Sequence, residues 1–125
     1  MKTYKAPTIR PASEEAELLT FFNQLRLKHP ALGAVAVHIP NEGKRQRGAT
    51  RDKARGLVTG AADVLIPGCP ALVIELKRTD GGRLSKAQRD YLEAAERLGA
   101  VACVCHGWEA AMEAVENWLL SLDKP

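Results

Sequence analysis

The chain has 125 residues, 46% hydrophobic, 26% charged and 5% aromatic, with 18 Lys and Arg against 15 Asp and Glu for a net charge of +3. Those fractions belong to one ordinary globular domain and exclude a mainly disordered chain; a domain of this size buries about two thirds of its unfolded surface and needs no disulfide or structural metal to fold. The apolar runs are too short for a membrane span, and the opening MKTYKAPTIRPASEEAE lacks the apolar stretch of a secretory signal.

Residues 1–12 carry Pro7 and Pro11 and no periodic pattern, which predicts an extended N-terminal arm ahead of a single domain over 13–125. Ser13 fits a helix N-cap, with Glu14, Glu15 and Glu17 in the first turn where the helix dipole favours negative charge. Leu18, Phe21, Phe22 and Leu25 follow at helical spacing, and the helix should end near Pro30. Residues 33–39 (GAVAVHI) read as a strand closed by Pro40, Asn41 and Gly43. Residues 41–60 are basic with no strand pattern, and a short helix is expected around 50–57. Residues 62–66 (ADVLI) and 71–77 (ALVIELK) are the next strands, joined by a turn at Pro67-Gly68. The near-continuous apolar run of the latter marks a central strand covered on both faces. Ser85 caps a helix running to Leu98, and Gly99 suits the residue just past its end. Residues 100–105 (AVACVC) form a strand, and 107–122 a last helix. The three cysteines, Cys69, Cys103 and Cys105, are odd in number and form no Cys-x-x-Cys. They argue for a reducing compartment and against a zinc site.

Alternation along a strand puts Glu75 and Lys77 on one side and Leu76 on the other. Acidic-x-Lys alone is a weak signal, since Glu42-Gly43-Lys44 repeats it in the basic loop and an ion pair at a strand end would explain it. Asp63 adds weight, because aspartate is disfavoured just inside an apolar strand. If residues 62–66 and 71–77 form an antiparallel hairpin, Asp63 converges on Glu75 and Lys77. Two carboxylates beside a lysine suit a hard divalent cation, with Lys77 facing a negative reactant. Gln88, one turn into its helix, can reach back toward that strand end. On the first helix Glu14 falls within the apolar face, Glu17 on its edge and Glu15 less centrally. His29, His38 and His106 show no metal-ligand spacing and read as structural or surface residues. Trp108 and Trp118 read as packing.

Taken together, Gly60-x-x-Asp63, Glu75-Leu76-Lys77 and Gly82-x-Leu84-Ser85-x-x-Gln88 resemble the VRR-NUC branch of the PD-(D/E)XK nucleases. Ser13-Glu14-x-x-Glu17 and His38-Ile39-Pro40-Asn41-x-Gly43-x-Arg45 are similar to its small stand-alone phage and bacterial members. Ala62 stands where many members have proline, a position that ligates nothing. The resemblance implies an α/β fold, a restriction-endonuclease-like αβββαβ core with a mixed central sheet and an extra C-terminal helix. It also implies phosphodiester hydrolysis in DNA with Mg²⁺ or Mn²⁺. Asp63, Glu75 and the Leu76 carbonyl would hold the metal, with Glu14 as the first-helix carboxylate and Glu17 as its runner-up. Lys77 would position or deprotonate water, or neutralise charge in the transition state, and Gln88 would support the site or contact the phosphate.

The basic stretch is the natural DNA-binding element. Lys44, Arg45, Arg47, Arg51, Lys53 and Arg55, following Asn41, face only Glu42 and Asp52, a local charge of +4. Such a cluster suits salt-sensitive backbone binding. The expectation is a metal-dependent endonuclease of the cytoplasm, DNA-associated, or of the host cytoplasm if viral. The resemblance to stand-alone members implies branched, Holliday-junction-like DNA as the substrate, and one site per chain implies a homodimer, because each site cuts one strand. A non-catalytic DNA-binding module that retains the fold is the alternative. A hydrolase of small phosphates lacks a Gly-rich phosphate cradle to support it.

Overall fold

The computed structural model of the chain describes residues 1–7, 12–40 and 54–122. In chain order the elements are β1 (Lys2–Lys5), α1 (Glu14–Lys28), the single turn α2 (Pro30–Gly33), β2 (Val37–His38), β3 (Val64–Ile66), β4 (Leu72–Lys77), α3 (Lys86–Arg97), β5 (Val101–His106) and α4 (Trp108–Leu122). The five strands form one mixed sheet in the order β1-β5-β4-β3-β2, parallel from β1 to β4 and antiparallel from β4 to β2.

Period-two alternation sorts the side chains of this sheet into two cores. Val64, Ile66, Leu72, Ile74, Leu76, Cys103 and Cys105 pack with Phe21, Phe22 and Leu25 of α1 and Met112, Val115 and Trp118 of α4. Val73, Ala102 and Val104 on the opposite face pack with Leu92 of α3. All six residues of β4 are buried, as its apolar run predicts. Glu75 and Lys77 share the α3 face with Val73, so two charged groups are buried where a third apolar pair would stabilise the sheet more.

The helix signals work locally. The Ser13 side chain accepts from Ala16 N–H at 3.0 Å, and α1 ends at His29 because Pro30 cannot extend it. Ser85 and Gln88 form a reciprocal capping box at the start of α3. The last helix follows β5 as expected, and Cys103 and Cys105 are core residues.

Two expectations need correction. Residues 1–12 are not simply an arm: Lys2–Lys5 pairs in parallel with β5 and buries Tyr4. Its KTYK sequence hides the strand, because only one side chain faces the core and lysines suit a sheet edge. The strand expected over 33–39 is confined to Val37–His38. Pro30 starts a helical turn, where its missing N–H costs nothing, and that turn consumes Gly33. A Cβ on Gly33 would lie 2.7 Å from Arg26 Cγ, so the turn lies close against α1 only because the residue is glycine. Residues 50–53 of the helix expected around 50–57 lie outside the described residues.

Candidate metal centre

Pairing between β3 and β4 runs Ile66 to Leu72, Leu65 to Val73 and Val64 to Ile74. One step further along this register, Asp63 stands beside Glu75. Asp63 is not in the strand itself but at the bend before it, where its Oδ2 accepts from Leu76 N–H at 2.7 Å. A side chain thus completes the ladder where the backbone of β3 leaves it, which is why an aspartate is tolerated there. Gly60 prepares that approach. It has φ +83°, and a Cβ there would lie 2.4 Å from the carbonyl carbon of Ala87 on α3. Only glycine lets the chain pass so close to the helix.

On the α3 face Gln88 arranges Glu75 and Lys77. Gln88 Nε2 donates to Glu75 Oε2 at 3.2 Å, while Gln88 Oε1 accepts from Lys77 Nζ at 3.0 Å and from Ser85 N–H at 2.9 Å. Two donors on the oxygen and a carboxylate on the nitrogen fix which way the amide faces. Lys77 Nζ also lies 3.6 Å from Glu75 Oε2. Glu75 is 1% exposed and Lys77 6%, while Gln88 is half-buried.

From the first turn of α1, Glu14 joins Asp63 and Glu75. Each offers a carboxylate oxygen, and the three oxygens lie within 4.8 Å of one another. Like charges so close disfavour ionisation. Burial, then the neighbouring Asp63, and to a smaller degree Glu14, push Glu75 from 4.5 up to about 9, against the opposing pull of Lys77. Glu75 Oε1 is buried and has no hydrogen-bond donor. A proton shared toward Asp63 or a cation among the carboxylates would satisfy it. Three carboxylates offering hard oxygens, with one oxygen of Glu75 buried and unpartnered, fit a divalent metal. The Leu76 carbonyl faces the same way. Within a strand a residue's N–H and C=O point together; Leu76 N–H points at Asp63, whereas Lys77 C=O turns away to accept from Gly107 N–H at 2.9 Å.

An open cleft of about 350 Å³ leads to this cluster, lined by Glu14, Glu15, Leu18, Leu19, His38, Asp63 and Leu76. Glu17 does not line it. Its carboxylate is buried on the other flank of α1, where Oε1 accepts from Trp108 N–H at 3.0 Å and so caps α4 after Gly107, which has no side chain to do it. Glu14, not Glu17, is therefore the first-helix carboxylate in the cluster. Of the basic segment, Asn41, Lys44, Arg45, Arg47, Arg51 and Lys53 lie outside the described residues, and Arg55 is exposed. His38, read from the sequence as structural or surface, lies in the cleft; the signal was its place just before Pro40-Asn41, but nothing in the sequence pairs it with Asp63.

This is an α/β domain with a mixed five-stranded sheet, carrying an acidic cluster at the end of its central strands. Its fold is that of a solved structure described as a VRR_NUC domain protein, at TM-score 0.76 and 19% identity, over 90% of this chain and 92% of that one. No family model matches the chain, and no curated protein matches it.

Proposed function

We propose that the chain is a metal-dependent endonuclease that hydrolyses phosphodiester bonds in DNA. The observation that carries this reading is the convergence of Glu14, Asp63 and Glu75 beside a lysine held in place by Gln88. The likeness to a VRR_NUC domain protein supports it. Asp63, Glu75, Glu14 and the Leu76 carbonyl would hold Mg²⁺ or Mn²⁺, and the bound ion would supply Lewis acidity at the phosphate. Lys77 Nζ, oriented by Gln88 Oε1 and needing no rearrangement during reaction, places positive charge where the transition state gathers negative charge and orients water for attack. The segment from Asn41 to Arg55 would hold DNA through its phosphates. A branched, junction-like substrate and a homodimer complete the proposal, since one centre per chain serves one strand. No described helix is long and apolar enough to cross a membrane, and a DNA-associated place in the cytoplasm follows from the substrate.

Incubation with labelled duplex, flap and four-way-junction DNA in Mg²⁺, Mn²⁺ or EDTA tests this reading. Divalent-dependent cutting, strongest on the junction and abolished by Asp63→Ala, is expected. Metal-independent cutting, or equal cutting by Asp63→Ala, would overturn it. DNA binding without cutting in any metal would favour the non-catalytic module.

A further inference from the structure

The carboxylates, Lys77 and Gln88 leave one polar side chain of the cleft without a part. His38 pairs with Val64 across the β2–β3 ladder, so its ring shares the α1 face of the sheet with Val64. Lys77 projects from the α3 face. Two nitrogen-bearing side chains therefore flank the carboxylate cluster from opposite faces.

The His38 ring is held in one orientation. Nδ1 lies 2.9 Å from the main-chain oxygen of Asp63, which can only accept, so Nδ1 carries the hydrogen, and Nε2 has no hydrogen-bond partner among the described residues. The same oxygen accepts from Ile39 N–H at 2.8 Å, so β2 is already tied to Asp63 without the ring. Around the ring the cleft presents Glu14, Glu15 and Asp63, all acceptors when ionised, and the apolar Leu18 and Leu19. Among the described residues lining the cleft, His38 is the only one with a nitrogen in its side chain. A phosphodiester has no donors of its own and is repelled by the carboxylates on that wall, so it needs a partner there.

We propose that His38 is a substrate-contacting residue: Nδ1 locks the ring on the Asp63 carbonyl and Nε2 meets the phosphodiester on the α1 face, opposite Lys77. The contact forms in either protonation state, because an imidazolium donates to a phosphate oxygen and a neutral ring accepts from a water that donates to it. This inference rests on the nuclease reading above.

The test uses the full chain carrying His38→Asn, His38→Gln or His38→Ala. An asparagine amide sits where Nδ1 sits and remakes the bond to Asp63, whereas a glutamine amide reaches the position of Nε2. Melting temperature, Mn²⁺ binding, DNA affinity in Ca²⁺ and single-turnover cleavage at saturating DNA are measured for each. His38→Asn should match wild type in melting and Mn²⁺ binding but cleave about tenfold or more slowly, and His38→Gln should recover part of the rate relative to His38→Ala. Cleavage by His38→Asn within about twofold of wild type would overturn the proposal, leaving the ring a purely structural tie. If His38→Asn is unstable, the glutamine variant decides: a rate no better than alanine's overturns it. Wild type that fails to cut would sink the nuclease reading instead, and DNA affinity then decides for His38, an unchanged value in His38→Asn overturning the contact.

Discussion

The two flanks of the carboxylate cluster are built differently. On the α3 face buried Glu75 and Lys77 and half-buried Gln88 form a network in which every polar atom of the Gln88 side chain is engaged by protein. On the α1 face Glu14, His38 and Leu19 are exposed around an open cleft. The buried flank holds charge in fixed positions at a cost in desolvation, and the open flank leaves room for a large anion to arrive. Preorganised charge beside an accessible wall is what hydrolysis of a polymeric phosphodiester requires.

Breaking the buried flank should have the largest effect on chemistry. Lys77→Ala should slow single-turnover cleavage about a hundredfold or more while Mn²⁺ affinity measured by calorimetry stays near wild type, since a protonated lysine has no lone pair to give a metal. Loss of Mn²⁺ binding in that variant would make Lys77 a part of the fold of the site. Gln88→Ala should act through the same lysine, slowing cleavage about tenfold, and should also cost about 1 kcal/mol in chemical denaturation through the lost capping box.

A stability measurement in EDTA compares the flanks without any substrate. Glu75 is raised from 4.5 to about 9, so the folded chain keeps a proton that the unfolded chain releases. Its stabilising effect is full below pH 4.5 and is lost as pH rises toward about 9. Melting temperature in EDTA should therefore fall across that window, a divalent ion should restore it at the alkaline end, and Glu75→Gln should flatten the slope. A wild-type slope equal to that of Glu75→Gln would show that Glu75 ionises normally.

The smallest effect separates the two acidic residues of α1. Glu17→Gln keeps an acceptor for Trp108 N–H and should leave cleavage within about twofold of wild type, whereas Glu14→Gln should impair it clearly. The reverse ranking, in the same assay, would place the wrong carboxylate in the cluster.

What could be read in advance follows the reach of each interaction along the chain. Asp63, Glu75, Lys77 and Gln88 lie within one hairpin and the following helix, so strand alternation and a capping residue suffice to bring them together. Glu14 and Glu17 both fall on or beside the apolar face of α1. Choosing between them requires knowing that α4 presents Trp108 N–H to Glu17, a contact between residues far apart in sequence. His38 reaches Asp63 only through the β2–β3 pairing across a long intervening segment, which no local pattern reveals. β1 escapes notice because a short basic edge strand with one buried tyrosine has no apolar rhythm.

The central claim is that Glu14, Asp63 and Glu75 form a divalent-cation site whose buried carboxyl releases its proton to solvent as the ion binds. Calorimetric titration of Mn²⁺ at pH 7 in two buffers of different ionisation enthalpy measures binding and proton release together. Wild type should bind one ion per chain and release close to one proton, and Asp63→Asn, which keeps an acceptor for Leu76 N–H, should bind at least about tenfold more weakly. Identical titrations of wild type and Asp63→Asn, or binding with no proton released, would contradict it.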